Sequence, residues 1–141
     1  MKFVEDFPCS FRHIENEWIS MSDGINLAAR MWIPERAFTS AVPAILEYIP
    51  YRKRDSKRFR DEINHKYFAG HGYACIRVDN RGSGDSDGIL TDEYLEQELA
   101  DGEEILEWIA DQDWCDGDVG MIGISWGAFN GLQIAARQPE P

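Results

Sequence analysis

The fold turns on one stretch, Val119-Gly120-Met121-Ile122-Gly123-Ile124-Ser125-Trp126-Gly127-Ala128-Phe129-Asn130-Gly131-Leu132-Gln133-Ile134-Ala135. Its first part, with Val119, Met121, Ile122 and Ile124, reads as a short buried strand. Its last part, with Ala128, Leu132, Ile134 and Ala135, reads as a helix. Between them stands Gly-x-Ser-x-Gly at 123–127. The five-residue pattern alone is weak, since chance places it in roughly one chain in twenty of this length. Its setting between strand and helix is the informative part, because a serine at a sharp strand-to-helix turn is held in a strained backbone with its hydroxyl exposed. Gly123 and Gly127 lack the Cβ atoms that would collide where strand and helix close on each other. The backbone N–H of Trp126, at the helix start, can then face a developing oxyanion.

Working outward, apolar runs at Val42–Ile49 and Tyr73–Asp79 precede the Val119–Ile124 strand. They alternate with amphipathic stretches, which is the pattern of parallel strands joined by crossover helices. Phe59, Ile63 and Tyr67 recur four apart, and Gly70 supplies a helix stop. Leu95, Leu99, Gly102, Leu106 and Ile109 form a second stripe, with Thr91 expected as N-cap and Asp92 and Glu93 in the first turn. The last helix starts near Trp126 and is expected to stop before Pro139. Upstream, Ser22-Asp23-Gly24 lies between two apolar runs within Glu17–Pro34 and predicts an antiparallel hairpin. The expected class is therefore α/β, an antiparallel hairpin followed by parallel βαβαβα. Such a sheet looks unfinished at Pro141, since buried parallel sheets usually have more strands. Residues 1–141 are read as the N-terminal part of one domain, cut after the helix that follows Ser125.

The 141 residues carry 14 Lys and Arg against 26 Asp and Glu, a formal charge of -12. That field repels phosphate backbones and anionic headgroups, so neither nucleic acid nor membrane is expected as a partner. Met1-Lys2-Phe3-Val4-Glu5-Asp6 bears acids where a secretory leader would be apolar, and no apolar run approaches 18 residues. A cytoplasmic protein is expected. Cys9, Cys75 and Cys115 are too widely spaced for a zinc motif or a disulfide framework. Neither a metal site nor a nucleotide fingerprint is legible, and no cofactor is expected. The glycine-rich loop Arg81–Gly88 lacks the Gly-Lys-Ser/Thr ending of a phosphate cradle and reads as structural, with Asp79 and Arg81 fixing the turn. Glu47 and Arg77 fall in adjacent strands, where a cross-strand pair would relieve two buried charges.

Three motifs in order, Ile49-Pro50-Tyr51-Arg52-Lys53, Asp79-Asn80-Arg81-Gly82-Ser83-Gly84-Asp85-Ser86-Asp87-Gly88 and Gly117-Asp118-Val119-Gly120-Met121-Ile122-Gly123-Ile124-Ser125-Trp126-Gly127, resemble the cocaine-esterase and Xaa-Pro dipeptidyl-peptidase group of α/β-hydrolases. The resemblance spans Glu17–Ala136. It implies acyl transfer on a small-molecule ester or a peptide, with Ser125 as nucleophile. It further implies that the Tyr51 phenol and the Trp126 N–H are the two oxyanion donors. The group often carries Tyr where this chain has Trp126, which bears on pocket shape more than on a backbone donor. Physical placement agrees with the Tyr51 role, because a loop at the C-terminal end of a parallel strand lies on the rim where α/β sheets bind ligands.

A serine hydroxyl needs a base, and in this fold Asp or Glu and then His follow the serine. Neither His nor Asp occurs after Ser125. His71 is expected at the N-terminal end of the Tyr73 strand, about 20 Å from the opposite rim at 3.3 Å per residue. His65 is expected on a helix surface, and His13 in the arm before the hairpin, so neither is a suitable base. The isolated chain is expected to be inactive or nearly so. The sequence does not choose between esterase and peptidase, and a truncated hydrolase scaffold used for binding or oligomerisation remains the alternative to an enzyme.

Overall fold

The hairpin expected at Asp23-Gly24 opens the sheet. In the computed structural model, which describes residues 4, 6–55 and 57–140, β1 (Phe11–Ser20) and β2 (Asn26–Pro34) pair antiparallel across that turn. Of the N-terminal run read for leader character, residues 1–3 and 5 lie outside the described residues. His13 stands within β1, not in an arm ahead of it: the strand starts six residues before Glu17 because, across a register shift between Ile14 and Glu17, Phe11 to Ile14 pair with Pro34 to Met31. A turn of 3-10 helix, Glu35–Phe38, leads into β3 (Val42–Tyr48). Helix α1 (Arg58–Gly70), β4 (Ala74–Val78), α2 (Glu96–Ala110), β5 (Cys115–Met121) and α3 (Trp126–Arg137) follow. The sheet order is β1-β2-β4-β3-β5, with β2 antiparallel to β4 and β3 parallel to both β4 and β5.

This order reverses direction at β3. The chain leaves β3 for β4 on one side and, through α2, returns across β3 to β5 on the other. Right-handed crossovers in opposite directions place their helices on opposite faces of the sheet. Accordingly α1 packs on β2 and β4, whereas α2 and α3 pack on β3 and β5. A reversal of this kind opens a crevice at the C-terminal strand ends. The α2/α3 face holds the main core, including Leu27, Ile33, Leu46, Ile76, Ile105 and Ile134.

The α1 face is different in kind. Its apolar cluster centres on Trp32, Ala69 and Cys75. Beside it Arg30, Arg77 and Glu47 stand in one row across β2, β4 and β3. All three are buried, and buried charges are costly unless paired. Helix α1 therefore turns its polar side inward. The Asp61 carboxylate lies 3.3 Å from Arg77 Nε, and Glu47 accepts hydrogen bonds from Arg60 at 2.5 and 2.6 Å. His65, expected on the surface, is fully buried, with Nε2 3.1 Å from Glu47 Oε2 and its ring against Trp32. The apolar residues Phe59, Ile63 and Tyr67 face outward instead. Their spacing identifies the helix; the buried charges on the sheet decide its rotation. Glu47 and Arg77 are neighbours as expected, but at 3.9 Å, and each has closer partners elsewhere.

Two further boundaries differ from the sequence reading. Thr91 does not cap α2. Leu95 is the N-cap, because Tyr94 takes a left-handed conformation (φ 57°) that helix cannot include, and Asp92 and Glu93 lie before it. The strand read over Val119–Ile124 is β5 over Cys115–Met121, a half-buried strand at the sheet edge, and Ile124 is exposed. Helix α3 ends at Arg137, before Pro139 as expected.

Candidate active site

β5 runs alongside β3 as far as Leu46 opposite Met121, and the Ile122 N–H donates to the Leu46 carbonyl at 2.9 Å. The chain then leaves the sheet and enters α3 within four residues. Ser125 is the hinge, exposed to solvent, with φ 53° and ψ −120°. A non-glycine residue at such angles stores strain of about 1–3 kcal/mol, and strain of this kind collects where a side chain must be presented. The Ser125 carbonyl accepts from the Ala128 and Phe129 N–H groups at 2.9 and 3.1 Å, which starts the helix. Among the described residues no acceptor faces the Trp126 N–H, the first helical donor. The two glycines are there for space. A Cβ on Gly123 would stand 2.7 Å from the Ala128 nitrogen and closer still to the Gly127 carbonyl. A Cβ on Gly127 would meet Ile49 and the Tyr48 carbonyl at 3.0 to 3.1 Å.

That second contact shows where α3 begins: against the end of β3, two residues before the Tyr51 loop. Tyr51 follows β3 on the same rim on which the elbow follows β5, and it is half-buried. The Lys57 ammonium stands 5.8 Å from the centre of its ring. Lys53 holds the loop down. The Lys53 N–H donates to Asp79 Oδ1 at 2.7 Å, and the buried Lys53 ammonium bridges Asp85 (2.7 Å) and Asn16 (2.8 Å). Asp79 also accepts the Asp85 N–H, and burial pushes its carboxyl up against the opposing pull of Arg77. Asp79 thus ties the loop after β4 to the loop after β3. Arg81 takes separate partners, pairing with Asp101 at 2.6 Å and Asp23 at 2.8 Å. Both residues fix the turn, though not through each other.

Trp126 is anchored by its side chain as well. Its indole N–H donates to Glu98 Oε1 at 2.7 Å, and its ring packs near Tyr94 at 5.4 Å between centroids. Desolvation and then the Glu93 and Glu98 carboxylates, with a smaller contribution from the Tyr51 phenol, raise the Tyr94 hydroxyl above its ordinary value. Glu98 and Lys53 escaped the sequence reading. The signal for Glu98 was its place three residues after a helix N-cap, which became legible only once the cap moved from Thr91 to Leu95. Lys53 sits in a charge-rich run that looks solvated.

The histidines stand elsewhere. His71 closes α1 at the N-terminal end of β4, with Nδ1 2.7 Å from the Tyr67 carbonyl. His65 is under α1, on the opposite face of the sheet from α3, and His13 accepts from Arg30 Nε at 2.9 Å. Glu47, Asp61 and His65 bring ligand-type atoms within 4.8 Å of one another. The Arg60 and Arg77 guanidiniums already occupy the carboxylates, so this is an ion network beneath α1. Among the described residues no helix is long and apolar enough to cross a membrane.

Comparison with known proteins agrees with this fold. Cocaine esterase of Rhodococcus sp. is 37% identical over 112 residues, which cover 79% of this chain and 19% of that protein. A CocE/NonD family hydrolase from Staphylococcus aureus superposes with a TM-score of 0.78 at 21% identity, over 92% of this chain and 26% of that one. An aminopeptidase from a marine sediment Thaumarchaeota archaeon gives 0.71 at 22% identity, over 99% and 25%. These superpositions establish the α/β-hydrolase fold. The chain spans about a fifth of the length of the curated relatives it matches (22% and 19%). The model of the X-Pro dipeptidyl-peptidase (S15) family matches residues 23–141, nearly all of the sequence, and the protein belongs to that family of hydrolases.

Proposed function

We propose that this chain carries the nucleophile of a serine hydrolase, with Ser125 as that nucleophile and the Tyr51 phenol and Trp126 N–H as oxyanion donors. The observation that carries the reading is the strained, exposed Ser125 at the head of α3, followed directly by a backbone N–H with no acceptor among the described residues. Ser125 Oγ attacks an ester or amide carbonyl while a base takes its proton. The tetrahedral oxyanion accepts from Tyr51 and Trp126. Collapse expels the leaving group and leaves an acyl-enzyme that water hydrolyses. None of the three histidines stands on the rim with the elbow, so none of them is that base. Acyl transfer of this kind requires no cofactor, and small-molecule esters and peptides are both within its scope. An aromatic surface of Tyr94, Trp126 and Phe129 beside the serine favours an apolar group on the substrate. The test is turnover of p-nitrophenyl acetate and of an Xaa-Pro p-nitroanilide by the complete gene product and its Ser125→Ala variant. Loss of turnover beyond about a thousandfold is expected. Retained turnover would move the nucleophile elsewhere.

A further inference from the structure

The geometry points to Glu98 as a positioning residue that sets both oxyanion donors through one carboxylate oxygen, an inference that rests on the hydrolase reading above. Glu98 is buried, and among the described residues no cation lies within salt-bridge distance of it. Its carboxylate is satisfied by neutral donors instead. Oε1 accepts three: the Trp126 indole N–H at 2.7 Å, Asn130 Nδ2 at 2.9 Å and Asn80 Nδ2 at 3.0 Å. Oε2 accepts the Tyr94 N–H at 2.8 Å.

The two oxygens do different things. Oε2 serves the N-terminus of α2, accepting from the N–H one residue before the N-cap in a variant of the capping box. A helix cap uses one oxygen and does not explain three donors on the other. Those donors come from the first turn of α3, its second turn and the loop after β4. Asn130 also donates to the Tyr48 carbonyl at 3.1 Å, at the end of the strand that leads to Tyr51. Glu98 Oε1 is therefore the shared acceptor between the residue whose N–H meets the oxyanion and the strand end that carries the phenol. The negative charge strengthens each of these bonds relative to a neutral acceptor. A group that holds reacting partners in place acts through geometry, and a misplacement of about 1 Å costs on the order of a hundredfold in rate.

The test uses the complete gene product with Glu98→Gln, Trp126→Phe and the double variant. Active sites are counted from the p-nitrophenol burst, and acylation is expressed per counted site. Glu98→Gln keeps the size of the side chain but opposes an amide to the donors. Trp126→Phe removes the indole N–H and part of the ring while keeping an aromatic against Tyr94, and is the variant expected to fold without difficulty. Each single change should lower the acylation rate per site by about 10- to 100-fold with KM within about threefold, and the double variant should be no slower than the slower single. A purely structural Glu98 would lower the number of active sites and the unfolding temperature but leave the rate per site unchanged, and that result overturns the assignment. So does an unchanged rate per site in Trp126→Phe. Ser125→Ala separates the two levels of the argument. If it abolishes acylation while the Glu98 and Trp126 variants are normal, only the positioning role fails. If it acylates normally, the hydrolase reading itself fails.

Discussion

Alanine at Gly123 is the sharpest test of the elbow, because Gly120, three residues earlier, provides a control in the same strand-to-helix segment. A Cβ at 123 would lie 2.7 Å from the Ala128 nitrogen and nearer to the Gly127 carbonyl, all backbone atoms of α3 that cannot rotate away. A Cβ at 120 would find its nearest neighbour, the Ala44 carbonyl, at 4.0 Å. Forcing a methyl into a closed contact costs about 1–3 kcal/mol, whereas glycine to alanine in an open strand position gains up to about 0.5–1 kcal/mol from the lower entropy of the unfolded chain. The two variants should thus separate by roughly 1–4 kcal/mol in urea unfolding, in opposite directions from wild type. Gly123→Ala should also slow fluorophosphonate labelling, because relief of the contact requires the strand and helix to part and Ser125 to turn. Equal midpoints and equal labelling in both variants would refute the close-approach argument.

Other consequences are as direct. Tyr51→Phe should lower kcat about 100- to 1000-fold with little change in KM, as removal of one oxyanion donor does, and steady-state kinetics on an activated ester reads this. Arg58 grips Glu15 through both terminal guanidinium nitrogens and holds its carboxyl down to about 2. A depressed carboxylate stabilises above its unfolded value near 4.5 and loses that contribution as pH falls towards 2, so Glu15→Gln should flatten the acid limb of the stability profile across that window. Phe59→Ser should change stability by no more than about 0.5 kcal/mol in thermal or urea unfolding, since 73% of Phe59 is exposed despite its place in an apolar stripe.

The parts of the structure legible in the sequence are those set by local chemistry. Asp23-Gly24 specifies the hairpin, the three apolar runs specify strands, and Gly123 and Gly127 specify the close turn around Ser125, because each depends on neighbours within a few residues. The rotation of α1 does not. Phe59, Ile63 and Tyr67 form a regular apolar stripe, and only the buried row of Arg30, Arg77 and Glu47, drawn from three strands far apart in sequence, explains why Asp61 and His65 face inward. The start of α2 was missed for a similar reason. Thr91 and two acids make a good local cap, but Tyr94 at φ 57° delays the start of the helix to Leu95, and Glu98 is committed to partners from α3 and the β4 loop. At the candidate site, the sharp turn at Ser125 could be read from its own stretch, whereas the contacts of Glu98 and Lys53 join residues tens of positions apart.

The central claim is that the strained turn at 125 presents an activated nucleophile, and a fluorophosphonate probe tests it most directly. Incubated with the complete gene product and mapped by tandem mass spectrometry, the probe should leave one stoichiometric phosphonyl adduct on the peptide containing Ser125, absent in Ser125→Ala. An adduct on another residue, or none in a protein that still hydrolyses esters, would contradict the account.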